Sequence, residues 1–363
     1  MRTVSDIKVF ENIPILVRAS LNVPMVNGKI TNDYRLRRAL PTIRFLAERN
    51  ARVVIIGHIG EQGTETLEPV ARALGVLIRG VSFFGETVGI RARAAVRGLS
   101  PGDILVMENL RRNRGERAND RAFAEELAAL GDIFVQDCFD TCHRPHVSII
   151  GVPALLPSYA GLLIEEEVRG LSRALSPKHP ALAVIGGAKF NTKEAVLATL
   201  LEKYDRVFVG GALANDFLKA SGQEVGKSLV SITDPVRIKN LLANSKLVLP
   251  VDSVVINEQI LDHGTGTIAL LAELVKKAKT ILWNGPLGNY ENGFTGATEG
   301  FARAVAASDA YSVIGGGDTI AAIENIGLLS RFSFVSTGGG AMLDFLAHGT
   351  LPGIEVLNSH ASA

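Results

Sequence analysis

Cysteine is scarce in this chain of 363 residues: Cys138 and Cys142, in the segment DCFDTC, are the only two. A disulfide framework is excluded, and with no further cysteine to join them as metal ligands both read as small reduced residues in or near a core. Net charge is nearly absent too, at +1, so nothing pulls the whole chain toward nucleic acid or a membrane surface. No long apolar run is present. The longest reach, residues 148–164, is broken by two prolines and two glycines and is too short to span a bilayer. The start MRTVSDIKVF has neither the basic opening nor the apolar stretch of a secretory signal. These absences lead us to expect a soluble cytoplasmic protein with no nucleic-acid or membrane partner. Low-complexity tracts and short-period repeats are also missing.

The chain does contain a steady rhythm. Short β-branched runs alternate with helical patterns: ILVRA, YRLRRALPTIRFLAER, RVVIIGH, LEPVARALG, ILVME, FAEELAALG and IFVQD in the first half. LAVIGG, TKEAVLATLLEKY, RVFVGG, TILWNGP, SVIGGG and FSFVSTGGG continue it in the second. Strand, helix, strand at this spacing predicts parallel sheets with crossover helices, hence an α/β fold. Length and rhythm together predict two doubly wound, Rossmann-like domains facing a shared cleft, at residues 1–157 and 176–345. Residues 158–175 form the link between them, with a helix from 161 to about 175, and 346–363 form a tail. Charge is divided between the halves. Residues 1–150 carry 21 Lys and Arg against 17 Asp and Glu, and 19 of those 21 cations are arginine, the side chain suited to gripping carboxylates and phosphates.

Open parallel sheets bind ligands beyond the carboxyl ends of their strands, so the loops there carry the functional expectation. In the first half these loops hold Arg18 and Asn22, Arg35, His58, Arg111, and the cluster His143, Arg144 and His146, which together predict an anion site. In the second half four glycine-rich turns follow strands: GGAK (186–189), GGALAND (210–216), GGGDT (315–319) and STGGGA (336–341). Glycine lets backbone amides approach an anion, and a helix starting there adds its positive end, so several such turns predict a polyphosphate site. Lys189 and Lys193 fall one helical turn apart if a helix begins after GGAK. Asp318 is suited to bind Mg2+ directly or through water, Thr319 adds a hydroxyl, and WNGPLGNYE supplies Asn284, Pro286 and Glu291, the last as an acceptor for ribose hydroxyls. Neither lysine turn fits GxxxxGK[ST], so a P-loop is excluded.

The strings NVP, TNDYR, ENLR, HRPH, GGAK, WNGPLG, GGGDT, STGGGA and LPG occur in an order that resembles the phosphoglycerate kinase family almost end to end. The resemblance implies two α/β domains that close by hinge bending, the acid on the first and the nucleotide on the second, with the tail returning to the first. It implies phosphoryl transfer between 1,3-bisphosphoglycerate and ADP, giving 3-phosphoglycerate and ATP with Mg2+, as a monomer in glycolysis. It further implies that Asn22, Arg35, His58, Arg111 and Arg144 hold the acid. The nucleotide falls to Lys193, Gly211, Asn284, Pro286, Glu291, Gly315, Gly316, Gly317, Asp318 and Thr319, with Asp318 toward the metal. Arg35, Lys189 and the amides of Gly338 and Gly339 would serve the group in transfer. A related kinase with another small carboxylate acceptor, and a non-catalytic nucleotide-binding protein on the same fold, are the alternatives.

Several positions depart from the family pattern. Where the family has RVDFNVP, this chain has RASLNVP, so Ser20 replaces an aspartate that contacts the acid's hydroxyl. HIGEQ in place of HLGRP puts Glu61 where a substrate-facing arginine stands, and Arg112 or Arg114 is expected to restore that charge. Gln136 stands for an asparagine, Asp140 for a glycine, His263 and Thr265 for an apolar residue and a proline, and Asn289 for a valine.

Overall fold

Successive residues of each central strand feed two different cores. In the first sheet Ile15, Val17, Val53, Ile55, Ile104, Val106 and Val135 pack into one cluster, while Leu16, Val54, Ile56, Leu105, Met107 and Phe134 pack into another. This is the period-two signature of a sheet covered on both faces. The helix Tyr34–Ala47 seals the first cluster with Leu36, Leu40 and Ile43, and the helix Arg121–Ala128 seals the second with Phe123 and Leu127. Each fully buried Val, Leu or Ile contributes about 1.5–3 kcal/mol over exposure, so the two layers supply most of the driving force for the unit.

The computed structural model describes residues 1–359, which fall into two units: residues 1–168 with the segment from 350 onward, and residues 169–349. The first unit contains β1 (Pro14–Ala19), a small hairpin of β2 (Met25–Val26) and β3 (Lys29–Ile30), β4 (Arg52–Ile56), β5 (Val81–Phe84), β6 (Ile104–Met107), β7 (Ile133–Asp137) and β8 (Ser158–Ala160). Its six-stranded sheet is parallel throughout, in the order β5-β6-β4-β1-β7-β8. The second unit contains β9 (Ala181–Ile185), β10 (Arg206–Val209), β11 (Leu247–Val248), a hairpin of β12 (Ser253–Ile256) and β13 (Gln259–His263), β14 (Thr280–Asn284), β15 (Tyr311–Gly315) and β16 (Phe334–Val335). Its parallel sheet runs β11-β10-β9-β14-β15-β16. Trp283 is fully buried there, edge-on to Phe301 with ring centroids 4.8 Å apart, and donates Nε1–H to Gly285 O.

In each sheet the strand order reverses once, between β1 and β7 and between β9 and β14, and the loops leaving those strands diverge to open a crevice. Residues 158–160, expected within the linking segment, pair with β7 as an edge strand, and the helix that follows is Leu162–Leu175. Of the segment 346–363, residues 360–363 lie outside the described residues. The helix Gly339–His348 packs in the second unit on Glu194–Lys203. The helix Pro352–Ser359 packs on the π-helical turn Val147–Gly151, with Gly353 N donating to Cys142 O at 3.0 Å. No helix among the described residues is long and apolar enough to cross a membrane.

Asp137, at the end of β7, accepts the amide of Leu163 in the first turn of Leu162–Leu175. Burial pushes its carboxyl up to about 7, against the pull of hydrogen bonds from Thr42 and Leu163. The ordinary value is near 3.9, so the folded chain holds this proton longer than the unfolded chain does, and the contribution to stability is present at low pH and lost as pH rises toward 7. The expected penalty between pH 4 and pH 8 is on the order of 3 kcal/mol. Asp137→Asn should flatten the alkaline side of the melting-temperature profile, measured by calorimetry from pH 5 to 8. Parallel profiles for the two proteins would show that Asp137 does not carry this dependence.

Candidate functional site

The first unit gathers its cations at the β1/β7 reversal. Arg18 lies inside β1 rather than in the loop beyond it, and it is fully buried. Its guanidinium donates to Ala19 O, to Ser148 Oγ at 2.8 Å, to Cys138 Sγ and to Nδ1 of His58 at 2.8 Å. Ser148 Oγ in turn donates to the buried Glu116 at 2.6 Å. The expectation that Arg18 contacts a ligand is therefore corrected: a cation in the wall of a sheet is stable only when its donors are used, and these are spent on the protein. The same contact makes His58 Nδ1 an acceptor, so its proton sits on Nε2. Burial first, and then the charge of Arg18, hold His58 well below the usual histidine range. His146 is likewise brought down to about 4 by burial and by Arg111, Arg18, Arg144 and Arg117. These two histidines are thus neutral N–H donors and not cations.

Arg35, in the first turn of Tyr34–Ala47, donates to Asn22 O at 2.9 Å, and Asn22 Oδ1 accepts the amide of Gly60 at 3.1 Å. Arg111 donates to Gly60 O at 2.6 Å, so residues 22, 35, 60 and 111 form one continuous frame. Asn109, given no role by the sequence although it lies within ENLR, is fully buried and clamps this frame by bonding Ile59, Glu65 and the amide of Arg111. Arg144 donates to His143 Nε2, and its charge is felt by Arg111. The structure thus brings Asn22, Arg35, His58, Arg111 and Arg144 into one neighbourhood of the first unit.

Glu61 reaches Arg111 at 3.1 Å and Arg117 at 3.9 Å. Arg112 is committed elsewhere, to Glu108 at 3.0 Å and Thr64 O. Arg117 thus stands beside Glu61 together with Arg111, and among the described residues neither Arg112 nor Arg114, the two arginines expected to restore the charge, is paired with Glu61. Burial lowers the pKa of Arg111, and Glu61 pulls it the other way.

In the second unit the turns after β9 and β14 interlock at the reversal. Gly186 N donates to Asn284 O and Gly187 N to Pro286 O, both at 2.8 Å. A Cβ on Gly186 would stand 2.2 Å from Pro286 O, and one on Gly211, at φ +62°, would stand 2.7 Å from Gly187 N, so only glycine permits the approach. Around these turns lies a cavity of about 450 Å³, lined among others by Gly187, Gly211, Pro286, Tyr290, Glu291 and Asp318. Asp318 sits in the first turn of Gly317–Asn325. Thr319 is fully buried, and its hydroxyl accepts the amide of Gly285 at 3.0 Å, so it braces two loops from beneath. Asn284 is also buried, with its amide nitrogen against Met342 Sδ. Gly316, at φ +101°, and Gly339 approach closely enough that a Cβ on Gly339 would meet Gly316 Cα at 3.5 Å, so GGGDT and STGGGA adjoin. Gly315 ends β15, and Gly338 N donates to Ser336 Oγ.

The helix expected directly after GGAK starts later. Lys189 adopts φ +65°, the turn Phe190–Thr192 is 3₁₀, and the α-helix begins at Glu194 with Lys193 at its cap. Lys189 thus lies outside the right-handed helical region, and the chain passes through the 3₁₀ turn before the α-helix begins. Lys193 donates to Ala188 O, and burial, followed by the charge of Lys189, lowers its pKa. His263, singled out only as a departure, lines the cavity and accepts the Gly211 amide at 3.0 Å through Nε2. Tyr290 also lines it, and its hydroxyl accepts from Asn325. Glycine turns advertise themselves in sequence, whereas a histidine ending an edge hairpin carries no such signal.

One family profile, described as phosphoglycerate kinase, matches residues 4–349. A phosphoglycerate kinase of Azorhizobium caulinodans is 42% identical over 378 aligned positions, covering 94% of this chain and 96% of that protein. One of Pelotomaculum thermopropionicum is 41% identical, covering 98% of each. Among solved structures, phosphoglycerate kinase from Pyrococcus horikoshii OT3 is similar with a TM-score of 0.91 at 31% identity, covering all of both chains. That from Coxiella burnetii has a TM-score of 0.84 at 40% identity, covering 99% of each.

Proposed function

The chain belongs to the phosphoglycerate kinase family and interconverts phosphoglycerate and its acyl phosphate with ATP and ADP, and from that premise we propose how its residues divide the work. Asn22, Arg35, Arg111 and Arg144 hold the acid's anionic groups, with His58 as a neutral donor. The nucleotide lies in the cavity of the second unit, its phosphates against Lys193, Gly211 and the amides of residues 315–319, its ribose toward Glu291, and its path shaped by Asn284 and Pro286. The observation that carries this reading is the interlock of the turns at 186–187 and 284–286, which leaves a glycine-lined cavity with Asp318 on its wall.

The chemistry asks little of the protein by way of proton transfer. The attacking carboxylate of 3-phosphoglycerate is already ionised at neutral pH, so no general base is needed. The transferring group spreads negative charge over three equatorial oxygens, and catalysis consists of alignment and compensation of that charge. Arg35 and Lys189 supply the cations, and the amides at Gly338 and Gly339, at the start of Gly339–His348, add the positive end of a helix.

The family's use of MgATP fits the donor set here. No group of three or more His, Cys, Asp or Glu capable of holding a metal occurs among the described residues, and Asp318 lines the nucleotide cavity. One carboxylate with substrate phosphates and water is the usual magnesium arrangement, and Asp318 would hold the ion that neutralises the β- and γ-phosphates.

Lys189→Ala should lower kcat by about a hundredfold or more while KM for ATP moves by less than about threefold, as expected for charge compensation confined to the transition state. Steady-state kinetics with 3-phosphoglycerate and MgATP, read through reduction of the acyl phosphate, measure both; comparable loss in the two constants would remove Lys189 from the transfer step. Glu61→Gln frees Arg111 from a tethered anion and should lower KM for 3-phosphoglycerate by about two- to fivefold with kcat unchanged, the range set by a solvent-screened ion pair. An unchanged or higher KM would mean that Glu61 swings clear of the acid.

A further inference from the structure

Ser20 and Asp140 are separated by 120 residues in sequence and joined by a hydrogen bond. Ser20 Oγ donates to Asp140 Oδ1 at 2.7 Å, and Cys138 Sγ donates to the same oxygen at 3.0 Å. The two come from opposite sides of the β1/β7 reversal: Ser20 follows β1, and Asp140 lies in the 3₁₀ turn Phe139–Thr141 after β7. Ser20 and Cys138 are fully buried, and the Asp140 side chain is 7% exposed. Oδ2 stands 3.9 Å from Nη1 of Arg35, too far for a direct hydrogen bond. Burial opposes ionisation of Asp140, yet the charge of Arg35 and the hydrogen bonds from Cys138 and Ser20 outweigh it and bring the carboxyl down to about 2. It is therefore an anion at every working pH.

A fixed negative charge among the cations that receive a phosphorylated acid opposes binding of that acid as a charge. What a carboxylate offers in return is acceptor capacity for a neutral donor, and 3-phosphoglycerate carries one, the hydroxyl beside its carboxylate. Resting on the assignment of the first unit's cations to the acid, we propose that Asp140 reads that hydroxyl, with Ser20 and Cys138 holding its other oxygen in place. The carboxylate missing at position 20 is then not lost but moved across the crevice, and Ser20 turns from a weakness in acceptor recognition into the anchor of its replacement. Neither substitution serves alone. Asp140 without a donor at position 20 would keep only the Cys138 thiol as its anchor, and Ser20 without Asp140 would leave the hydroxyl unread.

The test is a cycle between residue and hydroxyl. Calorimetry measures binding of 3-phosphoglycerate and of 3-phosphopropionate, which has the same phosphate and carboxylate but no hydroxyl, to the wild type, Asp140→Asn, the exchanged variant Ser20→Asp with Asp140→Gly, and Arg144→Ala. The wild type should prefer 3-phosphoglycerate by about ten- to a hundredfold, the range of a hydrogen bond to a charged acceptor. Asp140→Asn should weaken the hydroxy acid and leave the deoxy acid equal or tighter, because a repulsion has gone, so the preference falls to within about threefold. The exchanged variant should restore it. A wild-type preference near one, or equal weakening of both acids by Asp140→Asn, would overturn the proposal, the latter marking a purely structural role. Arg144→Ala tests the cation assignment separately: it should weaken both acids alike, and if it changes neither while Asp140→Asn still removes the preference, the assignment of Arg144 fails and the reading of the hydroxyl stands.

Discussion

Everything chemical in this protein depends on one topological constraint, the single reversal of strand order in each parallel sheet. Neighbouring parallel strands normally send their loops in the same direction around the sheet, and the backbone amides past their ends are covered by the next crossover. At β1/β7 and β9/β14 the connections leave in opposite directions, and the ends of two central strands stay open. The first unit lines its opening with side chains, the second with bare backbone. That difference agrees with the division of ligands proposed above: a compact acid is gripped by forked guanidinium groups, whereas a phosphate chain is matched by rows of amides that only glycine brings close enough.

The price of exposing so much charge is met by a rigid polar understructure. Arg18, Ser148 and Glu116 form a buried relay under the basic cluster, and Asn109 holds Arg111 by its own backbone. The second unit has its counterpart in Thr319 and Trp283, which hold Gly285 through its amide and its carbonyl. In both units the residues proposed to touch the ligand are positioned by others that are not, and it is those second residues that make the geometry reproducible.

Sequence patterning made the two sheets and their crossover helices legible, because strands buried on both faces appear as unbroken β-branched runs. Glycine turns were equally plain, since few other residues tolerate the conformations they serve. The direction of a polar side chain was not. Arg18 sits one residue before the end of an apolar strand, and only the pleat, which sends alternate residues to opposite faces, decides that it points into the wall and not into the crevice. Thr319 and Asp318 are neighbours on one helix turn, yet the former faces Gly285 and the latter the cavity. Ser20 read as a loss because its partner at position 140 lies 120 residues away, and no local pattern records a contact of that range.

The first unit is discontinuous: its final helix, Pro352–Ser359, is encoded after the whole of the second unit and packs beside the loop that bears Asp140 and Arg144. On the ribosome the whole of the second unit therefore emerges before the last helix of the first. The second unit has all its strands before the first is complete, and the first unit waits on Gly353 reaching Cys142 O for its last backbone contact near the basic cluster. With the ligands divided as proposed, a nascent chain can acquire its nucleotide pocket before its acid pocket is finished.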